Sequence, residues 1–276
     1  MKIIASWSGG KDSTAAIITY LSQGGKIDEA VYCRVMFNDT ISAEYPEHEE
    51  FIYCTAIPKL ESWGIPVKIV QAKTNYVGQF MTIFQSGKRE GEIYGFPFRR
   101  GPWCNSQLKV RPLEKYFQSI GEYQNIVGIA YDEGARAAKK TVAGKLLPLV
   151  DYKILEADTF EICRKEGLLS PAYEFTTRLG CWFCHNQRVG QLKRLYKYHP
   201  DLWGELEKLQ ELSSISFRPD YSLGYYAKRF ARELRTEPEY DLIQIWKENG
   251  VESNIKIPGR EMADRGLDYQ TFSAEL

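Results

Sequence analysis

Neither sign of charge is in excess in this chain of 276 residues: 36 lysines and arginines face 36 aspartates and glutamates. That balance does not imply a polyelectrolyte partner for the whole surface, such as bulk DNA, and leaves only local basic patches open. Long hydrophobic runs are missing as well. The longest apolar run near the start, Ile3–Ala5, is far too short for a signal peptide or a membrane span. No membrane association and a cytoplasmic location are therefore expected. There is no internal repeat and no low-complexity tract, which argues against a solenoid or a disordered linker. Cysteines number six. In a reducing compartment they are read as metal, catalytic or core residues before disulfides.

The apolar share, 43%, and the aromatic share, 13%, suffice for a packed core. The length accommodates one α/β domain with a smaller attachment. Lys2–Trp7 reads as a buried strand, followed by a helix over Ser13–Ser22 that stops at Gly24 and Gly25. Ala30–Phe37, Pro66–Val70 and Asn125–Ala130 read as further strands. Between the second and third, Pro46 opens a helix that Pro58 interrupts. Short strands, apolar on both faces and alternating with helices, predict a doubly wound, mainly parallel sheet. Helical periodicity dominates after Asp151, at Thr159–Lys165, Gln191–Tyr198, Leu202–Leu212, Tyr225–Leu234 and Tyr240–Trp246. The expected division is an α/β domain over 1–155 and a helical, metal-bearing region over 156–276.

One loop carries chemistry. Ser8-Gly9-Gly10-Lys11-Asp12-Ser13 joins the first strand to the first helix, where an open α/β sheet binds ligands. Two glycines let the backbone approach a phosphate, and the amides of the helix N-terminus face the anion. Ser8 and Ser13 add hydroxyls and Lys11 a point charge, with Ser8 and Lys11 expected on an exposed loop. Asp12 is a candidate ligand for Mg²⁺, which takes oxygen donors and bridges phosphates. The pattern is neither a Walker A loop nor a dinucleotide fingerprint. A plain glycine turn with a serine cap is the bland alternative.

Four more groups recur along the chain: Phe37-Asn38-Asp39-Thr40; Cys104 with Lys109, Arg111 and Pro112; Gly128-Ile129-Ala130-Tyr131-Asp132-Glu133 with Arg136; and Arg178-Leu179-Gly180-Cys181-Trp182-Phe183-Cys184. With Ser8–Ser13, their order and spacing resemble the PP-loop (N-type ATP pyrophosphatase) superfamily. Within it, they resemble the phosphoadenosine phosphosulfate (PAPS) reductase family, from Lys2 to about Trp203. The resemblance implies an adenine nucleotide α-hydrolase-like fold, with ATP or a related adenine nucleotide lying across the strand ends. It implies that Asp39 sits near the nucleoside or its metal, and that Lys109 and Arg111 contact a substrate anion. Asp132, Glu133 and Arg136 suit metal or substrate phosphate, or else form a capped helix start with a surface ion pair. Lys88, Arg89, Arg99 and Arg100 interleave with Tyr94, Phe96, Phe98 and Trp103. Such a basic-aromatic stretch can hold phosphates and stack bases, or be a solvated loop with core anchors.

Cys181 and Cys184 form a CxxC, a spacing that lets two thiolates reach one metal. The family pattern places Cys104 beside it and favours Cys163 as the fourth ligand. Cys163 as a small core residue, with His185 in its place, is the alternative. Cys33 and Cys54 read as core. Four thiolates suit a 4Fe–4S cluster or a structural Zn²⁺, and the sulfur-handling relatives tilt the expectation to iron–sulfur. Sulfonucleotide reductases attack sulfur with a cysteine near the C-terminus, and no cysteine follows Cys184 here. The expectation is therefore an ATP-dependent adenylating enzyme that releases pyrophosphate, in service of sulfur transfer. Lys11, Asp12, Asp132 and Arg136 are its candidate catalytic residues. The acceptor is a small molecule or a nucleic-acid base, and a sulfur donor protein is implied. A reductase with an unusual thiol donor and a non-catalytic, metal-stabilised nucleotide-binding module are the alternatives.

Overall fold

A computed structural model describes residues 1–97, 103–138, 144–174, 176 and 178–236. The chain divides into two compact units, Met1–Gln187 and Arg188–Leu276. The division falls after Gln187 rather than near Leu155. The physical reason is that the helix over Asp158–Lys165 packs against the first helix of the chain, so this stretch belongs to the core of the first unit.

In the first unit, strand β1 (Lys2–Trp7) leads into helix α1 (Lys11–Ser22) and strand β2 (Glu29–Arg34). Helices α2 (Pro46–Phe51) and α3 (Ile57–Ser62) precede β3 (Val67–Gln71) and α4 (Tyr76–Phe80). Then come α5 (Trp103–Asn105), α6 (Arg111–Ser119), β4 (Tyr123–Val127), α7 (Gly134–Ala137), α8 (Pro148–Asp151) and α9 (Asp158–Lys165). The four strands lie in the order β3-β2-β1-β4, with every pairing parallel. Leu146 adds a one-residue parallel bridge outside β4. The fourth strand starts two residues before the expected Asn125 and ends at Val127.

Alternation sorts the strands' side chains. Ala5, Trp7, Ala30, Tyr32 and Ile126 enter one core with Ala15, Ala16 and Ile17 of α1, Leu60 of α3, Leu149 of α8 and Cys163 of α9. On the opposite face the Cys33 thiol meets the Leu108 carbonyl at 3.4 Å, and Tyr116 of α6 donates to Glu29. Helices thus cover both faces, as a parallel sheet requires. The helix opened by Pro46 is not broken by Pro58. It widens into a π-helical turn over Ile52–Ala56, in which the Ile57 amide bonds back to the Ile52 carbonyl. A second π-helical turn, Ser106–Val110, directly precedes Arg111-Pro112 in the same way. A proline clashes with the carbonyl four residues back and brings no N–H, and the wider turn relieves both problems.

The described part of the second unit holds α10 (Val189–Tyr198), α11 (Pro200–Leu212) and α12 (Leu223–Thr236). Pro200 starts α11 at its first position. Leu192, Leu195, Trp203, Leu206, Tyr226 and Phe230 are buried between the three helices. Trp203 meets Tyr196 and Phe230 at ring distances of 5.1 and 6.1 Å. The expected helix Tyr240–Trp246 lies outside the described residues, as does the tail after Val251. No described helix is long and apolar enough to cross a membrane.

Candidate functional site: the glycine loop and the cysteine turn

The strand order reverses between β1 and β4. A switch point of this kind opens a crevice at the carboxyl ends of the strands, where open α/β sheets take their ligands. Ser8-Gly9-Gly10 fills that position. Gly9 has φ +72, and a Cβ there would stand 2.8 Å from Ile52 and 3.2 Å from His48. Only glycine meets both demands. Gly128, at the exit of β4, approaches the loop just as closely: its Cβ would lie 2.4 Å from the Asp12 backbone.

The loop is closed on itself. The Ser8 amide donates to Ser13 Oγ at 3.1 Å, the two serine hydroxyls are 3.1 Å apart, and Ser13 Oγ reaches the Gly10 carbonyl at 3.0 Å. Trp7 Nε1 donates to Thr14 Oγ1 and pins α1 to β1. Ser8 is exposed, as expected, whereas Lys11 is buried at 2% exposure. The expectation of an exposed lysine is corrected by its partners. Lys11 Nζ lies 2.6 Å from Asp12, 3.1 Å from Glu156 and 4.9 Å from the Phe160 ring. An ammonium out of water persists only with such compensation.

Several polar groups at this end of the sheet are engaged by one stretch of chain, Glu156 to Tyr173. The Lys11 amide donates to the Tyr173 hydroxyl at 2.9 Å. Thr159 Oγ1 donates to Asp12 at 3.1 Å, and the Glu156 amide donates to Asp132 at 3.0 Å. Burial, foremost, raises the pKa of Tyr173, so its hydroxyl keeps its proton. Beside the loop, His48 meets Ser170 Oγ at 2.9 Å, and its pKa is lowered by burial against the pull of Glu44. Glu133 and Arg136 form an ion pair at 3.0 Å at the start of α7, with Arg136 half exposed. Asp39 sits at the tip of a turn after β2. Asn38 caps the amides of Thr40 and Ile41 there, and Asn75 donates to Asp39 at 2.8 Å.

Three of the four expected thiols come together, and the fourth is elsewhere. Cys163 is fully buried under α1, its Sγ 3.2 Å from the Lys11 carbonyl, and burial drives its pKa up to about 12. It is a core residue of the glycine loop, because α9 packs on α1 and not on the cysteine turn. Cys181 and Cys184 close a tight turn, with the Cys184 amide on the Cys181 carbonyl at 2.9 Å. Trp182 fixes that turn: it is fully buried, its Nε1 donates to the Ser42 carbonyl at 2.7 Å, and its amide bonds to Ala43. Phe183 packs on Tyr76 at 4.3 Å, and Trp103 packs on Tyr76 at 5.0 Å, which brings Cys104 to the turn.

The three thiols lie within electrostatic range of one another. The Cys104 thiol is pushed up by burial first and by the neighbouring Cys184 second; burial raises Cys181 to about 12, while Lys109 pulls it back. The Lys109 pKa is raised chiefly by Cys181, with Glu44, Cys33 and Cys104 adding to it. Lys109 thus faces the cysteines. Arg111 is exposed and bonds to Gln107. The Tyr76 hydroxyl is buried without a hydrogen-bond partner, and all three thiols act on it. Among the described residues no group of three or more His, Cys, Asp or Glu side chains is set to hold a single metal ion. His185 is buried next to Cys184.

Phe96 is buried on Phe80, and Arg89 pairs with Glu92 over the Phe84 ring, so part of the basic-aromatic stretch is core and surface pairing. Lys88 is exposed. Phe98, Arg99 and Arg100 lie outside the described residues. Sequence reasoning missed Glu156, Tyr173, His48, Tyr76 and Glu44. None lies within a motif, and Glu156, Tyr173, His48 and Tyr76 acquire their roles through contacts more than twenty residues away in the chain.

Fold and site together define an α/β protein with a parallel four-stranded sheet and a glycine loop at its switch point. No protein-family model matches the chain. It is similar to an uncharacterized protein, MJ0066, of Methanocaldococcus jannaschii, with 23% identity over 219 residues. That similarity covers 75% of this chain and 41% of the relative, so the chain spans about two fifths of the relative's length.

Proposed function

We propose that the chain is a PP-loop enzyme akin to the PAPS reductase family, with an adenine nucleotide α-hydrolase-like fold. In this reading it binds ATP, or a related adenine nucleotide, with Mg²⁺ and adenylates an acceptor with release of pyrophosphate. The observation that carries the reading is the Ser8–Ser13 loop, joining β1 to α1 at the switch point with Gly9 and Gly128 in positions that tolerate no side chain. Backbone amides there face a phosphate, and Asp12 and Asp132 offer oxygens to a cation. An acceptor oxygen attacks the α-phosphorus, the bond to the leaving pyrophosphate breaks, and the loop stabilises the developing charge. Lys11 contributes to that step once Glu156 releases its ammonium.

In this reading the thiols of Cys104, Cys181 and Cys184 would hold an iron–sulfur cluster. They share surroundings, and the unpartnered Tyr76 hydroxyl would be a donor to a cluster sulfide or thiolate. Such a cluster would supply sulfur or electron chemistry, which links adenylation to sulfur transfer from a donor protein. Structural Zn²⁺ is the competing occupant.

The test is calorimetry with ATP and Mg²⁺, followed by incubation with candidate acceptors while AMP and pyrophosphate are followed by mass spectrometry. Binding with pyrophosphate release is expected. Absence of any adenine-nucleotide binding would overturn the reading. Sulfite release from PAPS with thioredoxin would replace adenylation by reduction.

A further inference from the structure

The charges of the second unit are sorted by helix. Asp201, Glu205, Glu207 and Glu211 lie on α11 with Lys208 the sole cation, while α10 carries Lys193, Arg194 and Lys197 and no acid. In α12 the one carboxylate, Glu233, is engaged by Lys193 of α10 at 2.9 Å and by Arg229 at 2.6 Å. The outer face of α12 is left with Tyr225, Lys228, Arg232 and Arg235, all exposed. Steps of three, four and three residues put these four side chains on one stripe, about 15 Å long at ~1.5 Å rise per residue. No carboxylate among the described residues pairs with Lys228, Arg232 or Arg235.

A solvated helix face ordinarily alternates charge at these spacings. Here Lys228 and Arg232 stand at i,i+4 with like charge, and Arg232 and Arg235 at i,i+3, an arrangement that disfavours the isolated helix. A polyanion relieves it. Aromatic surface accompanies the cations: Tyr225 is 43% exposed and stacks on Tyr221, 52% exposed, at 4.1 Å and 18°. Helix α10 runs antiparallel to α12, with Lys193 opposite Glu233 and Tyr196 against Phe230.

We propose that this face of α12 binds single-stranded nucleic acid, with backbone phosphates on Lys228, Arg232 and Arg235 and a base stacked on Tyr225. Cations in a row with an adjacent open ring are what a strand with both charged backbone and free base faces requires. A duplex hides its bases, and a lipid surface offers the phosphates without the ring partner. The proposal does not depend on the nucleotide-site reading.

The test uses the full chain and fluorescein-labelled oligonucleotides of one mixed sequence, as single-stranded RNA and as single-stranded DNA, with anisotropy read across a salt series. Three phosphate contacts contribute a slope of about 2 in log affinity against log salt, or about 20-fold between 50 and 200 mM. The variant Lys228→Gln/Arg232→Gln/Arg235→Gln, changed only at exposed positions, should lose that slope. Lys208→Gln on α11 should keep it. Tyr225→Ala should weaken binding about 5- to 150-fold with the slope intact. Tighter binding of RNA or of DNA names the source of the strand, and equal binding still supports the surface. No binding of either at low salt, or an unchanged slope in the triple variant, overturns the proposal. So does binding to phosphatidylserine vesicles with none to oligonucleotides, and an unaffected Tyr225→Ala overturns the stacking contact.

Discussion

The Lys11 ammonium lies 3.1 Å from the Glu156 carboxylate, across 145 residues of chain, with less than a fiftieth of the lysine side chain exposed. The one ammonium of the glycine loop is thus held by a carboxylate already. Tyr173 takes the amide of the same residue, and Thr159 takes Asp12. Under the proposed function, a nucleotide entering this crevice would exchange contacts with the stretch 156–173.

Glu156→Gln is expected to tighten ATP binding several-fold, because the neutral amide competes less for Lys11. Asp12 still pairs the ammonium and Glu156 is half exposed, so the cost in stability is only about 1 kcal/mol. Calorimetry on the wild type and the variant, with a parallel melt, decides it. Weaker binding in the variant would mean that Glu156 serves the ligand rather than opposing it.

The cysteines separate by role. Cys104→Ser, Cys181→Ser and Cys184→Ser should each lose most bound iron and the broad visible absorption of anaerobically purified protein, whereas Cys163→Ala should keep both. Cys163→Ala should instead lower the melting temperature, as loss of a buried group under α1 requires. A colourless wild type holding one equivalent of zinc would replace the cluster and keep the site. Full metal content in Cys104→Ser would remove the site.

Gly128→Ala puts a Cβ 2.4 Å from the backbone of Asp12, where no flexible side chain can give way. A loss of about 3 kcal/mol is expected, or roughly 6–12 °C in melting temperature. Gly134→Ala, where nothing lies within 4 Å, is the control and should be neutral or slightly stabilising. Equal melting temperatures for the two variants would show that β4 does not pack on the loop as described.

His48 gives the fold a pH dependence of known sign. Burial lowers its folded pKa below the ordinary 6.5, with Glu44 and Glu47 opposing. The unfolded chain then binds more protons than the folded one as pH falls through 6.5. The stabilisation is complete above that value and is lost below it, down to the folded pKa. Urea midpoints at pH 8, 7, 6 and 5.5 should fall more steeply in the wild type than in His48→Gln. Parallel curves would mean that His48 titrates alike in both states.

Local chemistry made the frame legible. β1 runs over Lys2–Trp7 as the apolar run required, Pro46 opens α2, and Gly24 ends α1 with φ +79. The CxxC spacing was legible in the sequence, and only a family resemblance suggested that Cys104 lies beside it. Cys163 could not be assigned that way. A cysteine on an amphipathic helix serves a core or a ligand set equally well, and which of the two depends on whether α9 packs on α1 or on the cysteine turn.

The sequence by itself determined the strand–glycine loop–helix unit and the alternation of strands and helices that makes a parallel sheet. These depend on residues a few positions apart, through φ/ψ preference, hydrogen-bond period and turn chemistry. Only the tertiary structure decided that Lys11 is buried against Glu156, that Tyr173 covers the loop, that Tyr76 holds an unpaired hydroxyl among three thiols and that α12 turns a row of cations outward. Each of those depends on which helix faces share a core, and that choice is set by the packing of whole elements, which no local pattern encodes.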